Sequence, residues 1–113
     1  MDKISLTALA SEQLAAAHRA ASGRSAHTVY GGHQRMLGQT LIALTAGAEL
    51  PEHDSPGEAT LQVLQGRVRL TARDTSWDGA PGDQIVIPSS RHALHAFKDS
   101  VVLLTVAKSK PAQ

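Results

Sequence analysis

An all-β chain carrying one N-terminal helix is the fold class that the sequence predicts, and three observations predict it. Apolar residues recur at steps of three and four only between Leu6 and Ala21, which is the period of one helix face. Beyond Gly23 they fall in short β-branched runs, several of which alternate with polar residues, the period of a strand. Turn residues then punctuate those runs at Gly31-Gly32, Gly47, Gly66, Asp78-Gly79 and Pro81-Gly82. Short strands at that spacing make a sandwich or a barrel.

The first element is a helix over residues 7–21. Its stripe is Leu6, Leu9, Ala10, Leu14, Ala17, Ala20 and Ala21, with Ala15-Ala16-Ala17 as strong helix formers at its centre. Ser5, Thr7 and Ser11 are candidate caps, Glu12 suits an early turn, and Gly23 is placed to end the helix in a left-handed residue after Arg19. Strands follow at 26–30 and 37–45. Residues 59–64 and 67–73 read as a hairpin around Gln65-Gly66, in which Val68, Leu70 and Ala72 turn inward and alternate with polar neighbours. A short buried strand spans 84–88. Residues 93–97 and 101–108 read as a last pair joined around Asp99. The chain is thus divided into a helix over 1–23, a β domain over 24–108 and a loose tail over 109–113.

Composition narrows the functional classes. A length of 113 residues with 42 % hydrophobic side chains suits one domain with a real core. Tyr30, Trp77 and Phe97 are the only aromatics, so the core is Leu, Val, Ile and Ala. A formal charge of +1 and three aromatics provide neither a basic patch nor a stacking platform for nucleic acid. The absence of cysteine excludes disulfides, thiolate metal sites and a cysteine nucleophile. The longest apolar run, 101–104, is too short to span a membrane, and Met1-Asp2-Lys3 lacks a signal-peptide plan, so a cytoplasmic location is expected. No G-x-S-x-G elbow and no glycine-rich phosphate loop occurs.

Two segments carry chemistry. One runs from Gly47 through His53, Asp54, Ser55, Glu58 and Ala59 to Gly66; the other runs from Gly82-Asp83 through Pro88 to Ser89-Ser90-Arg91-His92. They resemble the two signature motifs of the cupin superfamily, G-x5-H-x-H-x3,4-E-x6-G and G-x5-P-x-G-x2-H-x3-N. Gly47, Gly66, Gly82 and Pro88 all fall on the framework, over about residues 40 to 107. The resemblance implies an RmlC-like jelly-roll β-barrel of two antiparallel sheets, with the N-terminal helix outside the motifs. It also implies a small-molecule ligand in the barrel and a homodimer paired through sheet edges or one sheet face.

In the family, two histidines and a glutamate of the first motif and a histidine of the second hold a divalent metal such as zinc, iron, nickel or manganese. Here His53 matches the first ligand, Ser55 stands at the second and Ala59 at the glutamate; Glu58 is one residue early, on the opposite face of a regular strand. Ala93 falls at the second-motif histidine, and His92 matches with a loop one residue shorter. His33 and His95 are further imidazole candidates, although His92 and His95 point to opposite faces of one strand. The candidate metal set is therefore His53, His92, His95 and His33, and the lost ligands predict substoichiometric or absent metal. The candidate ligand-binding set is His53, His92, Arg91 and Tyr30. Arg91 stands at the pocket mouth as a carboxylate fork or an ordinary loop cation, and Tyr30 is the phenol that a histidine base such as His53, with Asp54 nearby, would work against. Arg67, Arg69 and Arg73 read as a solvated strand face, Trp77 as a cover over the sheet, and His18 and His27 as surface residues. The leading functional reading is a ligand-binding barrel. The alternatives are a metal-dependent enzyme of dioxygenase, isomerase or decarboxylase type, and a ligand-sensing or interaction module.

Overall fold

Ser5 starts the helix. Its backbone is extended and its Oγ accepts the Ala8 N–H at 3.1 Å, so the first turn has a side-chain partner for one of its free donors. The computed structural model describes residues 2–54 and 57–108; the expectations placed on Ser55 and on the tail, 109–113, lie outside the described residues. Helix α1 spans Leu6–Arg19, and Leu9, Ala10 and Ala17 are its buried stripe. It stops at Ala20, which is extended, and so ends before the expected Gly23. Gly23 instead makes the turn into the first strand. Its φ is +71°, its carbonyl accepts the Thr45 N–H at 2.9 Å, and a Cβ there would stand 2.5 Å from Thr45 Oγ1.

Nine strands follow among the described residues: β1 (Arg24–Tyr30), β2 (Leu37–Leu44), β3 (Glu49–His53), β4 (Gly57–Gln65), β5 (Val68–Ala72), β6 (Thr75–Gly79), β7 (Gln84–Val86), β8 (His92–Ala96) and β9 (Ser100–Lys108). They form two antiparallel sheets, one ordered β1-β2-β9-β4-β7 and the other β3-β8-β5-β6. From β2 to β5, and again from β6 to β9, successive strands change sheet. This corrects two expected pairings. Strands β4 and β5 are not a hairpin, because β4 pairs with β7 and β9 while β5 pairs with β6 and β8. Strands β8 and β9 likewise belong to different sheets. Short apolar runs joined by a tight turn look alike whether the chain folds back in one sheet or turns a corner into the other.

Strands β3 and β6 are additions to the expected set. Each is an edge strand with mostly exposed residues, so neither carries a strong apolar signal. Pro51 sits within β3 because β3 pairs on one side only, and the register with β8 shifts between Leu50 and His53. The three arginines do not share one strand face: Arg67 precedes β5, Arg69 lies within it, and Arg73 is in the following turn with φ +54°.

The chain buries two apolar clusters. Inside the sandwich lie Ile42, Leu44, Leu61, Val63, Val68, Leu70, Leu94 and Val102 with their neighbours. Outside it, α1 packs Leu9, Ala10 and Ala17 on Leu41, Ala43, Val101 and Leu103, so β2 and β9 are covered on both faces. That is why 37–45 and 101–108 read as near-continuous apolar runs. Beyond the helix, Val86 on the edge strand β7 is 72 % exposed. Asp99, in the turn before β9, fastens this arrangement: it accepts the Ala46 N–H at 2.9 Å and bonds His18 of α1 at 2.6 Å. The Ala46 N–H, then His18, hold its carboxyl below the usual carboxylate range.

The corner between β4 and β5 is closely packed. Gly66 has φ +86°, and a Cβ there would lie 2.2 Å from Ser100 Oγ and 2.4 Å from the Asp99 carbonyl oxygen. Ser100 is fully buried; its Oγ accepts the Arg67 N–H at 3.1 Å and donates to the Lys98 carbonyl at 2.6 Å. Gly47 has the same φ, +86°, with nothing within 4 Å of such a Cβ. Gly47→Ala should therefore cost only the left-handed strain, about 1–2 kcal/mol. Gly66→Ala should add overpacking and lose more than about 3 kcal/mol in total. Urea melts of the two variants beside the parent check this; equal losses would contradict the crowded-corner account.

Candidate binding site

The β3–β8 pair places two histidines side by side. Leu50 stands opposite Leu94, and His53 opposite His92. Along β8, residues alternate between buried and half-buried: His92, Leu94 and Ala96 point inward, whereas Ala93 and His95 do not. His92 is thus the inward-facing histidine of β8. It is 3 % exposed, while His53 sits at the open end and is solvent-exposed.

The two rings meet edge to face, with centroids 4.5 Å apart and planes at 64°. Each is fixed by its own backbone. His53 Nδ1 lies 2.9 Å from the Pro51 carbonyl oxygen, and His92 Nδ1 lies 3.0 Å from the Ser90 carbonyl oxygen. A carbonyl oxygen only accepts, so Nδ1 carries the proton in both rings, and Nε2 of each neutral imidazole keeps its lone pair. Both rings line a cavity of about 30 Å³ whose other walls are Ile42, Leu50, Leu61, Leu70, Ile87, Leu94 and Leu104. That volume admits roughly one water-sized group. The arrangement is a pair of oriented acceptors at the mouth of an otherwise aliphatic interior.

Larger hollows exist on the outer surface. One of about 340 Å³ is lined by Thr60, Val86 and Ser89 and shares Ile87 with the histidine cavity. It is open to solvent and brings no such pair of oriented groups together, so the smaller histidine cavity is the candidate site.

Arg91, next to His92 in the chain, flanks the pair without lining the cavity. Its Nε donates to Glu52 Oε1 at 3.0 Å, its Nη2 reaches the Glu52 carbonyl oxygen at 3.3 Å, and Nη1 lies 3.7 Å from Asp54 Oδ1. The guanidinium is thus already held by two carboxylates of the chain. Asp54 pairs with Arg91, and His53 Nδ1 with Pro51, so the expected orientation of His53 by Asp54 is not found. Glu52 was not among the expected site residues. Strict alternation does not mark it: Leu50 and His53 lie an odd offset apart yet both line the cavity, because the β3–β8 register shifts between them.

The remaining candidates stand elsewhere. Glu58 is exposed and Ala59 is buried in the interior cluster, so the glutamate position of the first motif carries a methyl group. Tyr30 and His33 do not line the cavity. Tyr30, at the end of β1, accepts a hydrogen bond from Arg35 Nη1 at 2.5 Å, and His33 lies in the loop before β2. His95 bonds Glu49 at 3.1 Å on the opposite face of β8 from His92. There it joins a row across four strands, Glu49–His95–Arg69–Asp78. Arg69 grips Asp78 through two hydrogen bonds of 2.7 and 3.2 Å, which lower the Asp78 carboxyl from its ordinary value.

Fold and site together define a small jelly-roll barrel whose open end carries a histidine pair. Solved structures share this architecture. A conserved protein of unknown function from Streptococcus pyogenes is 30 % identical, with a TM-score of 0.71 over 81 % of this chain and 80 % of that one. An RmlC-like cupin from Desulfovibrio desulfuricans is 27 % identical, with a TM-score of 0.66 over 74 % of this chain and 81 % of that one. A cupin superfamily protein from Desulfitobacterium hafniense shares the fold at 19 % identity, with a TM-score of 0.66 over 75 % and 79 % of the two chains. The chain belongs to the cupin superfamily and is a small RmlC-like cupin-domain protein. No protein-family model and no curated protein matches it. Among the described residues no helix is long and apolar enough to cross a membrane.

The family's metal does not fit the described residues well. Two imidazoles are present, the glutamate position is Ala59, and no three His, Cys, Asp or Glu side chains come together among the described residues. Zinc enzymes use three protein ligands and a water. Protein purified without a histidine tag should therefore carry well under one equivalent of transition metal by elemental analysis. One tightly held equivalent per chain, lost on His53→Ala, would contradict this.

Proposed function

We propose that this cupin binds a small molecule at the open end of its barrel, with His53 and His92 holding the polar end. The supporting observation is the pair of imidazoles 4.5 Å apart, each oriented by a backbone carbonyl, at the mouth of an aliphatic cavity. A ligand of ordinary size sits mostly at the mouth, because the interior has room for only about one water-sized group. The aliphatic walls make that inner end a low-dielectric environment, which strengthens any hydrogen bond made to the buried His92.

A metal-dependent enzyme is the second reading. The observation that favours it is the Nδ1–carbonyl bond on both rings, since imidazoles that ligate metals are commonly oriented this way. The elemental analysis described above separates the two readings.

A thermal-shift screen of small cationic, neutral and anionic molecules tests binding. Bound molecules should perturb the NMR signals of His53, His92, Leu50 and Leu94, and His53→Ala should weaken them by about tenfold or more. His53 is exposed, so this truncation leaves the packed interior in place. Hits that map only to the outer hollow over Thr60 and Val86 would contradict the reading.

A further inference from the structure

Among the described residues the cavity lining offers acceptors and no free donor. In the neutral state both rings commit Nδ1–H to carbonyls, leaving two Nε2 lone pairs. The cavity walls beyond the rings are aliphatic and donate nothing. Among the described residues, the charged donor flanking the pair, Arg91, is engaged by Glu52 and lies beside Asp54. Two carboxylates against one guanidinium leave one net negative charge on the residues flanking His53 and His92. These carboxylates are 63 % and 80 % exposed, so they remain open to a second cation.

From this chemistry we propose that the ligand class is a small alkylammonium: a cationic head that donates hydrogen bonds and carries a short aliphatic group. The inference rests on the binding reading above and gives it a charge and a polarity. An ammonium has three donors and no acceptor, which matches two imidazole lone pairs and an acidic rim. Its alkyl group matches the leucine-lined cavity, whose size limits the buried part to about one methyl or methylene. An anionic head fails on each count. It brings acceptors to acceptors, approaches a rim of net negative charge, and competes with Glu52 and Asp54 for Arg91.

The test uses the full chain at about pH 8, where an ordinary imidazole is neutral. Ethylammonium chloride, sodium acetate and zinc chloride are titrated separately, and the histidine ring nitrogens and the leucine methyls are followed by NMR. Ethylammonium should shift both Nε2 signals and the Leu50 and Leu94 methyls in one saturable process, while acetate leaves them unmoved. Two rim variants should act in opposite directions. Glu52→Gln removes a carboxylate and should weaken ethylammonium several-fold, whereas Arg91→Ala removes the competing cation and should tighten it. Neither rim residue is buried, so both variants keep the fold, which the unmoved methyl spectrum of the free protein verifies. Acetate binding at the two rings would overturn the proposal, as would zinc binding at one equivalent with ethylammonium inert. If ethylammonium is silent while the screen finds neutral or anionic molecules at the histidines, the ligand class falls and the binding reading stands. Silence of every probe at the histidines overturns both.

Discussion

Ser100 is buried against Gly66, and the sandwich closes around that contact. The chain has just left one sheet at the end of β4 and is entering the other at β5. At the same place β9 begins its course as the central strand of the five-stranded sheet. Three segments share a space that a methyl group would fill, and one hydroxyl bonds backbone groups on two of them. The close approach adds to the β5–β8 ladder in setting where β5 enters the second sheet. Strand β8 in turn carries Leu94 into the core and His92 to the cavity. The β3–β8 and β5–β8 ladders then carry that placement to the histidine pair.

The barrel interior explains why so small a chain can hold a buried histidine. Its aliphatic residues come from both sheets, and His92 is the titratable side chain buried among them. A polar ring in such surroundings is costly unless it is hydrogen-bonded, and the Ser90 carbonyl supplies the bond. His53 faces the opposite situation, with one edge in solvent and its Nδ1 tied to Pro51. Pro51 on this edge strand and Ser90 in the loop before β8 thus do the same work from two sides of the mouth. Geometry set by main-chain carbonyls is less easily displaced than geometry set by long side chains, which is what a preorganised site requires.

Much of this was legible in the chain itself. The helix period stops before Gly23, the strand period starts after it, and the spacing from Gly47 to Gly66 and from Gly82 to Pro88 places both motifs. The odd offset between His92 and His95 separates them onto opposite faces, as the structure has them. Strand partnership was not legible. Gln65-Gly66 reads as a hairpin turn, because local sequence carries no record of whether β5 folds back on β4 or crosses to the other sheet. Edge strands β3 and β6 were hidden by their polarity. Tyr30 was out of reach for a related reason: a lone phenol at a strand end has no periodicity to reveal that it pairs with Arg35. The engagement of Arg91 by Glu52 depends on the β3–β8 register, which is a long-range fact.

The paired-acceptor site depends on which nitrogen of each imidazole carries the proton. Long-range nitrogen–proton NMR of the histidine rings, recorded on the ligand-free protein at about pH 8, reads this directly. His53 and His92 should both show a protonated Nδ1 and a bare Nε2, a pattern set by Pro51 and Ser90. Either ring found with its proton on Nε2 would mean that the mouth presents a donor, and would contradict the paired-acceptor site.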